Sequence, residues 1–596
     1  MTVQFLEVSR DDAEIPADLD TEALNRAGEE ALAKGRPVLA RRYFEAAAGD
    51  RAAVGARANM VKCALALGDI DGAWMFARTL LADHPRHPLA CRTLGTVALR
   101  GGNAEDKLLA GERLVDACPD DIQMLSLAAE LFAVAGELEE AIRLLERAVA
   151  ISSSDIALVQ QLVTVRRRVC HWDELGELEK MLEQGVLANN ASVDPFELLH
   201  QDSSAHLQLS SARQRAAKLP RHGSSARQPS TGLRPVVGFV SMGFGAHATT
   251  ILSRRVLEQL QLQWWDVHLL ATRIYDNSAY APGTEHGFAG VHDVSGLAPM
   301  PFAELVTKLQ VDVLIDLDGW CPGGRPDLFA VRAAPVQLVW LGYPGTTGAD
   351  WFDGVVADRF VLPPECAGTF SEPVLYLPRC YQCSDSTRLV GRPPSRAACG
   401  LPETNAMVFA CFNTPAKLNA RSFDRMLEVL KKVPDGVLWL IEPPGDGAER
   451  LRQRARAAEV DSDRLIFQPT IPHLTYLARY RHVDLVLDTE YYNGHTVSSD
   501  ALWAGCPVLT RPGATFASRV AGSLNHHLGL SALNATDDED FIARAVRFAT
   551  DAPWRQGLRR RLQAQRSGGP AFSTRAYAQD FANLISQAIA TKVASP

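Results

Sequence analysis

The chain has 596 residues, more than one hydrophobic core usually serves, so two or three domains are expected. A net charge of -9 and a pI near 6.0 argue against broad electrostatic capture of nucleic acid. Residues 1–16 show no basic leader followed by an apolar core, and no later stretch runs about 18 apolar residues, so no membrane span and a cytoplasmic location are expected.

Gly35, Gly68, Gly102 and Gly136 stand 33, 34 and 34 residues apart, each after an alanine- and leucine-rich stretch of helical character. That interval predicts an α-helical tetratricopeptide solenoid. The rest of the unit keeps the period: Ala73, Phe76 and Ala77 follow Gly68 as Ala141 and Leu145 follow Gly136, and Pro85 and Pro119 each lie 17 residues after their glycine. His171, Trp172 and Asp173 fall one period after Gly136 and mark a fifth unit, so the array is expected over 1–190. Stacked helix pairs leave a concave groove suited to a protein client. Eleven scattered cysteines suit reduced thiols, and only Cys380 and Cys383 form a CxxC. With no second pair or matching histidines nearby, they are read as packing, and no metal is expected.

Residues 191–234 read as a helical connector and basic linker. Arg213, Arg215, Lys218, Arg221, Arg227 and Arg234 occur there among serines, glycines and prolines, with no acid after Asp202. From 235 the periodicity changes. Apolar runs at 236–240, 267–270, 311–317, 336–341 and 355–356 alternate with helical stretches such as 249–262 and 301–309. A second series, 407–412, 437–441, 465–467, 483–487 and 507–510, follows the proline-rich stretch at 393–402. This is the pattern of βαβ units, and it predicts two Rossmann-like halves, 235–390 and 391–596, with a cleft where the carboxyl ends of the strands meet.

Four segments fall at predicted strand ends. Residues 488–500 join a strand to a helix through Asn493, Gly494, His495 and Thr496, so free N–H groups and the positive helix end face the cleft, where a diphosphate fits. Asp500, one turn on, suits a ribose hydroxyl. An ordinary cap by Thr496 or Ser498 is the structural alternative. Lys417, after the strand at 407–412, suits neutralisation of a leaving diphosphate, although lone lysines are usually solvated. His247, beside Gly243 and Gly245, suits proton handling or acceptor binding on the opposite rim, or is a plain loop residue. Residues 341–346 read as a Pro-Gly turn or as a wall of the sugar pocket.

Taken together, the chain resembles the O-GlcNAc transferase family, also called the SPINDLY family: tetratricopeptide repeats followed by a two-domain GT-B glycosyltransferase. GFGAH at 243–247, RAAPVQ at 332–337, LGYPGT at 341–346, VLWL at 437–440, NGHT at 493–496, LWAG at 502–505 and ASRVA at 517–521 carry the resemblance in family order. It implies that His247 is the active-site rim histidine and Lys417 the lysine on the donor's diphosphate. It implies that His495, Thr496 and Val497 form the diphosphate-binding helix start, that Asp500 binds ribose, and that Arg479 lies near the base. Leu341, Gly342 and Pro344 match part of the sugar pocket.

Departures from the family pattern concentrate around the donor. Val497 stands where animal members carry a second threonine, and Thr414 where they carry a glutamine near the phosphates. Tyr476 and His473 replace a histidine and a lysine near base and ribose, and Tyr492 replaces a small cysteine beside the sugar's acetamido group. Donor identity is therefore what the resemblance carries least.

The activity implied is inverting, metal-independent transfer of a sugar to Ser or Thr of a client protein, with a nucleotide-sugar as co-substrate and no cofactor. The donor implied is UDP-GlcNAc. The alternative is a flagellin glycosyltransferase using a nonulosonic acid donor such as CMP-pseudaminic acid. Two other classes compete: a scaffold with an inactive transferase domain, and a small-molecule GT-B enzyme such as a nucleotide-sugar epimerase.

Overall fold

The computed structural model describes residues 15, 19–49, 53–189, 193–221, 228–229, 234–273, 287–403 and 406–594. Arg227, counted above among the basic linker residues, lies outside them. The chain forms two compact units, Met1–Val165 and Arg166–Pro596.

The first unit is a run of antiparallel helix pairs. Thr21–Ala33 pairs with Pro37–Ala47, Val54–Ala66 with Ile70–Asp83, Pro88–Gly101 with Ala104–Ala117, and Ile122–Ala135 with Leu138–Ile151. Asp20, Asp69, Asn103 and Asp121 cap helix starts with their side chains. The periodic glycines serve two ends. Gly35, Gly68 and Gly136 take φ of +71°, +73° and +103° where the chain reverses between paired helices, a region that costs other residues strain. Gly102 is extended, and a Cβ there would meet the Ala98 carbonyl oxygen at 2.9 Å and the Trp74 ring at 3.0 Å. Its constraint is close approach rather than backbone freedom.

The boundary between the units falls inside the helix Ile156–Arg168, so Trp172 and the helix Leu175–Leu187, expected to close the array at 190, belong to the second unit. Trp172 packs on Phe423, with ring centroids 5.9 Å apart. Arg167 is 3% exposed and bonds Glu179 at 2.8 Å, the Glu197 carboxylate at 3.2 Å and Gln201 at 2.9 Å. That cluster fixes the short helix Pro195–Leu198, and Ser211 Oγ and Gln214 Nε2 tie the following helix Ala205–Ala216 to the Val193 and Val186 carbonyls at 2.7 and 2.8 Å, so this part of the connector is built into the second unit. Arg221 pairs with Asp350 and Arg234 with Asp266, which gives two of the linker's basic residues partners within the protein.

The second unit contains two parallel sheets. In the first, β1 (Val236–Ser241), β2 (Asp266–Ala271), β3 (Gly290–Asp293), β4 (Val313–Asp316), β5 (Val336–Val339), β6 (Gly354–Asp358) and β7 (Val374–Leu377) are ordered β3-β2-β1-β4-β5-β6-β7. In the second, β8 (Val408–Cys411), β9 (Val437–Ile441), β10 (Leu465–Gln468), β11 (Leu485–Leu487) and β12 (Val508–Leu509) are ordered β10-β9-β8-β11-β12. The order reverses beside β1 and beside β8, where open α/β sheets bind ligands. Strands β3 and β7 were not predicted. Both are edge strands: β3, Gly-Val-His-Asp, has no apolar run, whereas β7, Val-Leu-Tyr-Leu, is a short apolar run that the sequence reading passed over.

One boundary needs correction. The helix Thr574–Ala594, placed by sequence with the C-terminal half 391–596, covers the first sheet instead. Its Tyr577, Phe581 and Ile585 join that sheet's core, the Phe581 ring lies 4.4 Å from Trp340, and Tyr577 Oη accepts a hydrogen bond from Trp340 Nε1 at 3.1 Å. Its apolar stripe completes the cover that a parallel sheet needs on both faces. Among the described residues, no helix is long and apolar enough to cross a membrane.

The two halves are also joined by Asp358, at the end of β6 and fully buried. It accepts hydrogen bonds from Val361 N–H at 2.8 Å, Tyr381 N–H at 2.9 Å and, from the other half, Ser523 Oγ at 2.7 Å. Burial pushes its carboxyl up, but these bonds and His527 outweigh burial and hold it below the usual carboxylate range. Asp358→Ala is expected to lower stability to denaturant by about 3 kcal/mol, because charge-assisted hydrogen bonds contribute about 1.5–3 kcal/mol each. The contribution is complete above the ordinary carboxylate pKa and is lost as pH falls through the depressed native value, so the deficit of the variant should shrink in acid.

Candidate functional site

The loop between β11 and the helix Thr496–Ala504 is shaped by a buried carboxylate. Asp488 is 1% exposed. Its Oδ1 accepts from Gly494 N–H at 2.7 Å, Asn413 Nδ2 at 3.0 Å and Thr489 N–H at 2.9 Å, and its Oδ2 accepts from Thr510 Oγ1 at 2.7 Å. The ends of β8, β11 and β12 are thereby gathered on one group. The helix start that follows has His495 as its N-cap, with no side chain capping it, so the alternative of a cap by Thr496 or Ser498 is not what the structure shows. Its leading N–H groups are left for another acceptor.

Lys417 ends the short turn Pro415–Lys417 after β8. Its ammonium lies 3.5 Å from the centre of the Tyr492 ring and donates to the Asn493 carbonyl at 3.2 Å. The first half supplies the opposite wall. Leu341 follows β5 at φ +80°, a strained value for a branched residue. Gly342 touches the β4 end so closely that a Cβ would fall 1.9 Å from the Leu317 carbonyl oxygen. His247 caps the helix Ala248–Gln263, its Nδ1 accepting from Thr249 N–H at 3.3 Å.

These elements enclose a cavity of about 440 Å³. Of the residues singled out in the sequence, the structure brings His247, Leu341, Gly342, Thr414, Lys417, Tyr492, His495, Thr496 and Val497 together on its lining. Burial lowers the Lys417 amine to about 7, against the opposing pull of Asp488. Burial and then Lys417 hold His495 well below the usual histidine range, so the ring is neutral, and Nε2 donates to the Ala517 carbonyl at 3.0 Å. Desolvation and then Arg273 likewise lower His247. An uncapped helix start beside one cation of adjustable charge is suited to an anion that arrives already charged.

Five predicted residues are not on this lining. Asp500 is buried and ion-paired with Arg388, and its other oxygen lies 3.0 Å from His473 Nε2, so the carboxylate read as a ribose ligand is already engaged within the protein. His473 and Arg388 line a neighbouring cavity of about 410 Å³ with Thr250, Arg254 and Asp385. Tyr476 places its hydroxyl 2.5 Å from that of Tyr480. Arg479 is buried, donates to Pro469 O at 3.0 Å and lies over Trp439, 5.7 Å from the ring centre. Pro344 is buried in the turn beyond Gly342.

Three lining or supporting groups were missed. Phe196, on the helix Pro195–Leu198, lines the cavity, and the buried His200 ring packs at a tilt on Tyr492, with centroids 4.9 Å apart. Both lie in the stretch read as a connector, where no strand-end position drew attention to them. Asp318, just beyond β4, also lines the cavity, and its signal was its place at a strand's carboxyl end beside the order reversal. Among the described residues, no group of three or more His, Cys, Asp or Glu is disposed to hold a metal ion. Cys380 and Cys383 are buried, and desolvation pushes both thiols far up.

The profile of glycosyl transferase family 41 matches residues 204–393 and 392–581. A probable UDP-N-acetylglucosamine–peptide N-acetylglucosaminyltransferase, SEC, of Arabidopsis thaliana is 31% identical over 68% of this chain and 44% of its own length. A UDP-N-acetylglucosamine–peptide N-acetylglucosaminyltransferase of Caenorhabditis elegans is 24% identical over 60% of this chain and 41% of its own. The chain thus spans less than half the length of these relatives. The solved structure of a mutant O-GlcNAc transferase from Thermobaculum terrenum has the same fold, with a TM-score of 0.67, 23% identity, and cover of 90% of this chain and 98% of that one.

In the free protein one lysine should titrate at about 7 and disappear from the spectrum of Lys417→Arg, as read by nitrogen-15 NMR of the side-chain amines. Inorganic pyrophosphate should raise that value by about one unit or more, since a nearby opposite charge favours the ammonium.

Proposed function

Because the chain belongs to glycosyl transferase family 41, we propose that it is an inverting, metal-independent protein O-glycosyltransferase. It moves a sugar from a nucleotide-sugar to Ser or Thr of a client protein captured by the repeats. The observation that carries this reading is the Lys417 ammonium set beside the uncapped start of the helix Thr496–Ala504 in one cavity. In-line attack by the acceptor hydroxyl on the anomeric carbon puts negative charge on the departing phosphate. The helix N–H groups and Lys417 meet that charge, and the enclosure strengthens both. The donor's own charge raises the Lys417 pKa, so the cation forms when the donor is bound.

UDP-GlcNAc is the donor that the Arabidopsis and Caenorhabditis relatives' names support. A nonulosonic acid donor such as CMP-pseudaminic acid, with flagellin as client, is the second reading. It is favoured by Tyr492, whose buried ring occupies the wall against Lys417 and packs 4.9 Å from His495. An inactive scaffold accounts less well for a buried lysine held over an aromatic ring.

Intact-mass spectrometry of client proteins, flagellin included, tests the assignment in cells carrying the wild-type chain, no chain, or Lys417→Ala. Repeated mass increments should appear with wild type and be lost in both others while Lys417→Ala keeps its melting temperature, and the increment identifies the sugar. Near-normal glycosylation by Lys417→Ala overturns the assignment. With purified enzyme, kcat/KM reports the free protein and should fall as pH rises through about 7, where Lys417 loses its proton. The same limb in kcat should lie at higher pH.

A further inference from the structure

The carboxyl end of β4 carries two carboxylates that the reaction above leaves without a role. Asp316 is 1% exposed. Its Oδ1 accepts the N–H groups of Asp318 at 2.9 Å and Gly319 at 3.0 Å, and its Oδ2 is buried without a hydrogen-bond partner. Asp318 is 3% exposed and lines the cavity with Lys417 and His247. Its Oδ1 accepts from Ser241 Oγ at 3.0 Å and its Oδ2 from Met242 N–H at 2.6 Å. An ionised carboxylate has about four acceptor positions, so Asp318 is held from the β1 end and keeps capacity to spare.

Transfer to a hydroxyl releases a proton, and the cavity offers few groups able to take it. His247 uses its Nδ1 lone pair on the Thr249 amide, so the neutral ring carries its hydrogen on Nε2 and presents a donor. His495 is buried beside Lys417 and the positive helix end, where an imidazolium is opposed by both. Burial keeps Tyr492 and Cys321 protonated. Among the described residues lining the cavity, Asp318 is the only carboxylate.

We propose that Asp318 is the general base of the transfer, a reading that rests on the proposed transferase activity. Its carboxylate takes the acceptor's hydroxyl proton as the acceptor oxygen bonds to the anomeric carbon. The bond from that carbon to the donor phosphate breaks, the electron pair leaves on the phosphate oxygen, and the proton passes to solvent after product release. Burial and then the charge of Asp316 push the Asp318 carboxyl to about 7, against Met242 N–H and Ser241. A carboxylate of that basicity is matched to proton abstraction near neutral pH. The titratable groups around it are Asp316, itself facing Asp327, then Cys321, His247 after β1, and Lys417 and His495 from the second half.

Purified full-length protein is supplied in parallel with UDP-GlcNAc and CMP-pseudaminic acid, with protein acceptors from cells that lack the chain. Absence of wild-type transfer from both donors overturns the transferase reading, and the base with it. With transfer established, Asp318→Asn should lower kcat by about 100-fold or more, the span of general base catalysis, and lose the acid limb of kcat/KM. The affinity for the free nucleotide, UDP or CMP, should be unchanged. Asp316→Asn removes the like charge and should move the acid limb to lower pH, a shift that a purely structural role does not produce. Retention of the wild-type acid limb in Asp318→Asn, or an unmoved limb in Asp316→Asn, overturns the assignment. Should Asp318→Asn fail to fold, the Asp316→Asn limb decides.

Discussion

A single buried carboxylate, Asp488, holds the second half's side of the cavity in shape. A charge removed from water is tolerated only when its lone pairs are filled, and Asp488 fills them from three strand ends at once: Asn413 after β8, Thr489 and Gly494 after β11, and Thr510 after β12. Satisfying that carboxylate forces the 488–494 loop to fold back. The fold-back sets Asn493 O under Lys417 and leaves the helix start at Thr496 open to the cavity. The same charge opposes the desolvation of Lys417 and so limits how far its pKa falls. The anion binding proposed for this site and the structural integrity of the loop therefore share one electrostatic origin.

The cavity shows a division of labour between the halves. The second half contributes positive potential, through Lys417 and the helix start. The first contributes shape, through the strained Leu341 turn and Gly342 packed on Leu317, and the carboxylate pair Asp316 and Asp318 at the end of β4, where the proton acceptor is proposed. Charge of opposite sign is thus supplied from opposite walls, as a reaction with a departing anion and a departing proton needs.

The parts of this architecture written in local pattern were legible in the sequence. Glycine spacing announced the helix pairs, and apolar runs announced ten of the twelve strands, because a strand buried on both faces needs such a run. Strand-end positions named six of the nine cavity residues singled out in the sequence, and the family resemblance named the other three, Thr414, Tyr492 and Val497. What escaped was set by distant partners. Nothing local in Phe196 or His200 shows that a connector will be drawn against Tyr492, since the Arg167 cluster that places it spans residues 167 to 201. Asp500 carries the ribose motif, yet Arg388, 112 positions away, takes its carboxylate. The final helix looked like a continuation of the second half because its apolar stripe does not say which sheet it will cover.

That final helix has a consequence for how the protein is made. The Trp340 face of the first sheet is closed by Tyr577 and Phe581, and 237 positions separate Trp340 from Tyr577. At ribosomal rates of about 5–20 residues per second, that face waits on the order of 10–50 s for its cover while the whole second half is synthesised. Until the helix Thr574–Ala594 is made, the Trp340 face has no Tyr577 or Phe581 against it, so the core of the first half closes only after the second half has been synthesised.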